Sequence, residues 1–408
     1  MTAPAPGPAP ATWTRAIRRS ALQDLLVATA RPDVISLALG LPATDLFPTA
    51  AIGNAIARAL DRDPRALQYG PPSTELRGFV AALMRRRGVA CRPEQVFLTA
   101  GAQQGMSLLS RLLLETGSTV MLEEHCYTGF QQAVAPLAPR LVTIPSRIET
   151  GLDVGAVERS LAAGTRPALL YAMADGHNPL GVSMPREARP RLVALARSYG
   201  VPILEDDAYG MLTYDDEELP TLRAFDAEWV FYLGSFSKTL APALRTGWVV
   251  VPERFLDPLA ALKESSDIDT ATLGQRAVAA LVASGTFDGH LAMLRTEYAR
   301  RRAALLAALE QALPPGTRWS RPRAGFFTWV ELPQGLDAVR LSEVALRREG
   351  VAFVPGAAFA AGAAVPSRSG LRLNFSFSPP EVLREGVARI ARALGVLDGA
   401  RAAGGSHA

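Results

Sequence analysis

Short, continuously apolar runs alternate with amphipathic stretches from about residue 50 to 285, and this alternation narrows the possible folds more than any other feature. The apolar runs fall at 96–99, 119–122, 141–144, 168–172, 202–205, 230–234 and 248–251. Between them, 103–115, 186–199 and 270–283 carry helical periodicity. A strand that is apolar on both faces has to be covered on both, and parallel neighbours are joined by helical crossovers. The pattern predicts an α/β fold with a mostly parallel central sheet between two layers of helices. Beyond Gly285 the pattern changes. A long helical stretch, 287–313, leads to strand candidates at 325–332, 351–354 and 371–376, the mark of a smaller α+β domain.

At 408 residues the chain exceeds one ordinary core. It reads as a disordered arm at 1–19, a segment at 20–48 that packs on the small domain, a large domain at 49–285, the small domain at 286–396 and a disordered tail at 397–408. The arm is an Ala/Pro/Gly run without the basic and apolar regions of a signal peptide. No apolar stretch approaches the roughly 18 residues of a membrane span. Cys91 and Cys126 form neither a metal-ligand spacing nor a disulfide framework, which suits a reduced, cytoplasmic setting. The net charge is only +4. The runs Arg85-Arg86-Arg87 and Arg300-Arg301-Arg302 have no interleaved aromatics, so they read as solvated helix faces and not as nucleic-acid contacts.

Of 43 basic residues only two, Lys238 and Lys263, are lysines. A guanidinium stays protonated and cannot form an imine, whereas burial can turn a lysine ammonium into a nucleophile. Lys263 lies in the polar run Lys263-Glu264-Ser265-Ser266 and reads as a surface residue. Lys238, in Gly234-Ser235-Phe236-Ser237-Lys238, follows an apolar run and reads as a Schiff-base lysine. In open α/β sheets ligands bind beyond the carboxyl ends of the strands. Other polar groups fall at such ends. Run 96–99 leads into Gly101-Ala102-Gln103-Gln104-Gly105 at the start of a helix, where backbone N–H groups and the helix dipole favour phosphate. Run 202–205 ends in Asp206-Asp207-Ala208-Tyr209, and run 168–172 feeds the turn-forming series from Asp175 through Asn178 and Pro179 to Gly181.

In Asn178-Pro179-x-Gly181, Asp206-x-x-Tyr209, Ser235-x-Ser237-Lys238, Arg245 and Arg372, over roughly residues 21–394, the chain resembles class I/II aminotransferases of the type I pyridoxal-phosphate fold. The Ser-Phe-Ser-Lys run and the segment from Gly40-Leu41-Pro42 to Phe47-Pro48 are similar to the aminoadipate/kynurenine subgroup. The resemblance implies pyridoxal 5′-phosphate as cofactor, an α-amino acid and a 2-oxo acid as substrates, ping-pong transfer, and a homodimer with shared sites. It implies that Lys238 condenses with the cofactor aldehyde and then moves the α-proton. Asp206 would pair with the pyridine nitrogen, with its neighbour Asp207 as the rival, and Tyr209 and Asn178 would bond the phenolic oxygen. Tyr127 would stack on the ring. Ser235, Ser237, Arg245 and the Gly101-Ala102-Gln103 turn would hold the phosphate. Arg372 would bind the substrate carboxylate with the Gly40 amide and Asn178, and Tyr69 would reach the partner subunit's phosphate. His125 and His177 read as positional neighbours of the site.

Three positions depart from the resemblance. Ala102 stands where relatives often carry a serine, Leu39 replaces the first glycine of a Gly-Gly pair, and Gln23 lies where aminoadipate-type relatives carry an arginine for a second carboxylate. The changes point away from acidic amino acids and toward biosynthesis of an unusual one, a guanidino-type amino acid among the candidates. Two rival readings stand beside transamination. The same cofactor could run elimination, decarboxylation, cyclisation or oxidation. Alternatively the chain could be an aminotransferase-like regulatory domain, for which the short arm leaves no room for a DNA-reading module.

Overall fold

The computed structural model describes residues 9–11, 13, 14, 17, 31–214 and 218–404, with side chains as far as 397. Its centre is a seven-stranded sheet of β1 (Val96–Thr99), β2 (Thr119–Glu123), β3 (Arg140–Ile144), β4 (Leu169–Ala172), β5 (Ile203–Asp207), β6 (Val230–Ser235) and β7 (Gly247–Val250). Their spatial order is β1-β7-β6-β5-β4-β2-β3. Strand β7 runs antiparallel to β1 and β6, and every other pairing is parallel. Every residue of β4 to β7 is buried, which is why these runs are apolar on both faces. The link from Ser235 to Gly247 holds only a single turn of helix, Pro242–Leu244, too little for a crossover, so β7 has to turn back.

A second, four-stranded sheet consists of β8 (Arg318–Trp319), β9 (Phe327–Glu331), β10 (Val354–Pro355) and β11 (Gly370–Asn374) in the order β8-β9-β11-β10, all antiparallel. The single strand expected at 351–354 is divided. Val351–Ala352 pairs in parallel with Ile35–Ser36, and Val354–Pro355 joins the small sheet. The chain after Arg31 supplies the edge partner that the local pattern could not reveal. It continues along the small sheet, where the Leu37 carbonyl accepts the Asn374 N–H at 2.8 Å and Asp45 meets Arg301 at 2.9 Å. Helices Phe287–Ala312 and Ala338–Glu349 pack against helix Pro380–Gly404. Among the described residues no single helix is long and apolar enough to cross a membrane.

Four expectations are corrected. Lys263 is buried, with its ammonium on Asp267 and Thr270. Arg87 is buried in an ion pair with Asp207, and Arg301 is buried between Glu297 and Asp45. Charge-run composition does not show which member of a run falls on the inner face of its helix. The tail expected to be disordered from 397 continues in helix to Gly404, where Ala400, Ala402 and Ala403 outweigh the neighbouring glycines in helix propensity.

Candidate active site

A cavity of about 280 Å3 opens at the carboxyl ends of β4, β5 and β6, beside β9 and β11. Of the residues singled out from the sequence, it gathers Gly40, Ala102, Gln103, Tyr127, Asn178, Asp206, Tyr209, Ser235, Ser237, Lys238, Arg245 and Arg372. Gly101 lies directly before Ala102 as the cap of helix Ala102–Leu113. Leu39 is half-buried next to Gly40 but does not line the cavity. Tyr69 is 75% exposed and also lies outside it, and Gln23 is outside the described residues.

Lys238 follows the end of β6, and its Nζ donates to the Gly40 carbonyl at 2.9 Å. Burial, assisted by the Arg372 and Arg245 guanidiniums, pushes this amine down to about 8 against a weaker upward pull from Asp206. The amine also stands 6.0 Å from the centre of the Tyr209 ring.

Asp206 and Asp207 end β5 and face opposite sides of the sheet, as successive strand residues do. Asp207 is fully engaged by the Arg87 guanidinium, the Tyr232 hydroxyl at 2.7 Å and the Gly210 N–H at 2.7 Å, and it does not line the cavity. Asp206 does. Its Oδ2 accepts the Tyr171 hydroxyl at 2.7 Å, while its buried Oδ1 has no partner. Burial lifts this carboxyl to about 6, although the Tyr171 hydrogen bond works in the other direction. The geometry thus separates two carboxylates that residue type alone could not.

The other end of the cavity is a cradle of donors. Ser235 Oγ accepts the Ser237 N–H at 3.0 Å, and Arg245 Nη2 donates to the Ala100 carbonyl at 2.7 Å. Gly101 has φ +79°, and a methyl there would meet Arg245 Nη2 at 2.5 Å, so glycine is needed both for the turn and for the guanidinium to lie over it. Gln103 Nε2 ties this turn to the Tyr127 loop through the Gly129 carbonyl at 2.8 Å. The Tyr127 hydroxyl is pushed up to about 12 by burial, and burial also raises that of Tyr209.

Arg372, on β11, is buried. Its Nη1 donates to Asn178 Oδ1 at 2.7 Å and its Nη2 to the Ala38 carbonyl at 2.5 Å, and its Nε is unpartnered. The guanidinium lies 4.1 Å from the centre of the Phe327 ring and 4.8 Å from that of Phe359. Among the described residues no carboxylate pairs with it, and burial lowers its pKa to about 10. Gly181 (φ +71°) holds the Asn178 loop flush against β9: a methyl there would sit 1.9 Å from the Phe327 carbonyl oxygen. His177 lies outside the cavity with Nε2 2.9 Å from Glu123, and His125 lies outside it as well.

Sequence reasoning missed Tyr171 and Phe327. The first was legible in principle, because one hydroxyl inside the buried run Leu169-Leu170-Tyr171-Ala172 needs a partner. Phe327 carries no such signal.

Residues 32–390 match the family described as aminotransferase class I and II. The chain belongs to that family. A 2-aminoadipate transaminase of Thermus thermophilus is 38% identical over 399 residues, covering 94% of this chain and 98% of that protein. An aromatic-amino-acid aminotransferase of Thermococcus litoralis is 36% identical over 387 residues, covering 93% and 92%. The crystal structure of an α-aminoadipate aminotransferase of Thermus thermophilus, complexed with N-(5′-phosphopyridoxyl)-L-leucine, superposes with a TM-score of 0.87 at 36% identity, covering 95% of this chain and 97% of that one. This chain is an aminotransferase of the type I fold, and its cofactor is pyridoxal 5′-phosphate. The residues present fit that group. An amine of lowered basicity would meet the aldehyde, the unpartnered Asp206 oxygen would face the ring nitrogen, and the Gly101–Gln103 turn with Arg245 would receive the phosphate.

Proposed function

We propose that the aminotransferase acts on α-amino acids without a second carboxylate, as in the biosynthesis of an unusual amino acid, and on their 2-oxo acids, through Lys238, Asp206 and Arg372. One observation carries this reading. A single cavity holds an amine lowered to about 8, a buried carboxylate with a free oxygen and a buried guanidinium without an anion. A buried cation without a counter-charge is costly unless a ligand supplies one. The α-carboxylate common to both substrates is that ligand, taken by Arg372 in a fork with Asn178 alongside.

When bound, the cofactor supplies an aldehyde for amines and a protonated ring that draws electrons from the substrate Cα. Asp206 keeps the ring nitrogen protonated. Lys238 Nζ would take the Cα proton as a neutral amine and later return it. At pH 7 roughly a tenth of an amine with pKa about 8 is neutral, against less than a thousandth for an ordinary lysine. Tyr209 and Asn178 would hold the phenolic oxygen, Tyr127 would cover the ring, and Ser235, Ser237, Arg245 and the Gly101–Gln103 turn would anchor the phosphate. Gln23, standing where aminoadipate-type relatives carry an arginine for a second carboxylate, is the reason for disfavouring acidic side chains.

The exposure of Tyr69, together with that of Leu67 at 74% and Ile268 at 72%, supports a homodimer in which Tyr69 reaches across to the partner. The two sheets support the division into a large domain at 49–285 and a small one at 286–396. Free, buried Cys91 and Cys126 are in keeping with a cytoplasmic enzyme.

The test is a panel of amino donors added one at a time to the purified holoenzyme. Loss of the visible cofactor band with formation of pyridoxamine phosphate marks a donor. Donors without a second carboxylate, guanidino-type ones included, should react and acidic ones should lag. Failure of every α-amino acid, or a preference for glutamate and aminoadipate, overturns the reading. Lys238→Ala should abolish both the band shift and the activity while the circular dichroism stays unchanged.

A further inference from the structure

The second lysine is buried behind the phosphate end of the cavity. Lys263 lies on helix Leu256–Asp267, which packs against helix Ala102–Leu113. Its Nζ donates to Asp267 Oδ1 at 2.9 Å and to Thr270 Oγ1 at 2.6 Å. Asp267 Oδ2 accepts the Gln104 amide Nε2 at 2.7 Å, and the other end of that amide, Oε1, accepts the Ala100 N–H at 2.7 Å. The Ala100 carbonyl is in turn the acceptor for Arg245 Nη2 at 2.7 Å. The residue before the Gly101 turn is therefore gripped at its N–H by Gln104 and at its carbonyl by Arg245.

We propose that Lys263, Asp267 and Gln104 form a positioning relay that sets the Ala100–Gln103 turn for the cofactor phosphate. The proposal rests on the reading of that turn as the phosphate cradle. A carboxamide has two ends of similar shape and opposite hydrogen-bonding character, so it can turn over unless one end is committed. Asp267 commits it: a carboxylate accepts only from the NH2 end, which leaves Oε1 to the Ala100 N–H. Lys263 keeps that carboxylate charged and in place. A compact ammonium suits two single-point acceptors, Asp267 and Thr270, where a planar guanidinium fork would not. Gln104 occupies the third helical position, where glutamine side chains reach back to cap the start of a helix. Here it reaches one residue further and organises the turn that brings Ala102 and Gln103 to the cavity.

The experiment compares pyridoxal 5′-phosphate with pyridoxal, which lacks the phosphate, in binding to apoprotein by absorbance titration. In the unmodified protein the phosphorylated form should bind far more tightly; equal binding would sink the phosphate-cradle reading itself. Lys263→Met should weaken pyridoxal 5′-phosphate about tenfold and leave pyridoxal within about twofold. Gln104→Met, which leaves the buried lysine intact, should do the same if Lys263→Met fails to fold. The double variant should lose no more than the worse single variant, as members of one chain do. With the phosphate preference intact in the unmodified protein, three results would overturn the relay: equal weakening of both ligands, unchanged affinity for the phosphorylated one, or losses that multiply in the double variant.

Discussion

Replacing Asp206 with asparagine should move apoprotein stability and cofactor affinity in opposite directions. In the apoprotein the buried carboxyl is lifted from an ordinary 3.8 to about 6, so its ionised form costs on the order of 3 kcal/mol. Asparagine keeps an oxygen for the Tyr171 hydroxyl and carries no charge. Asp206→Asn should therefore stabilise the apoprotein by up to about 3 kcal/mol at pH 8. For 408 residues the unfolding entropy is about 0.9 kcal/mol per kelvin, so Tm should rise by about 3 °C. The sign reverses for the cofactor. Loss of a charge-assisted hydrogen bond to the ring nitrogen should raise its Kd by about 10- to 100-fold. A pH series by scanning fluorimetry separates charge from shape. The folded pKa is raised above the unfolded one, so both states are ionised above about 6 and the asparagine advantage is complete there. Below about 4 the wild-type carboxyl is protonated in both states and the advantage disappears. An apoprotein with unchanged or lower Tm at pH 8, or an advantage that persists at pH 4, would refute the burial argument. Unaltered cofactor affinity would remove Asp206 from its assigned role.

Three further outcomes are expected. Arg372→Met should lower kcat/KM for α-amino acids by about 100-fold or more while leaving simple amines, which lack the carboxylate, nearly unaffected in steady-state assays. Arg87→Met strands the buried Asp207 carboxylate and should destabilise the protein by about 3–5 kcal/mol, read by denaturant unfolding, even though Arg87 does not line the cavity. The rate of cofactor capture by the apoprotein should rise with pH as Lys238 loses its proton and level off above about 8; levelling only above 10 in stopped-flow absorbance would mark an ordinary lysine.

Much of this architecture was legible because it follows from local chemistry. Runs apolar on both faces mark buried parallel strands, and polar residues just past their ends fall together since all those strands point the same way. Lys238, Asp206 and Asn178 come from three such ends. What was illegible depends on partners distant in the chain. Residues 351–354 looked like one strand because Ile35–Ser36, which claims half of it, lies more than three hundred residues earlier. Arg87 looked solvated because its carboxylate, Asp207, becomes visible only once the helix is set against the sheet. Lys263 meets Asp267 one turn along its own helix, and what stayed hidden was the burial of that turn against helix Ala102–Leu113. The Asp206–Asp207 ambiguity was one of facing, decided by strand alternation together with the position of Arg87.

That alternation makes the length of the chain before β5 matter more than its composition. If β5 slid by a single position between β4 and β6, the aspartate that now neutralises Arg87 would turn toward the cavity, and its lone neighbour would turn toward the guanidinium. Every atom would still be present, yet the cavity would be lined by a side chain displaced along the strand and the hydroxyl of Tyr171 would lose Asp206 as its acceptor. Insertions and deletions should accordingly be tolerated in the loops beyond Gly176 only where they leave this frame untouched.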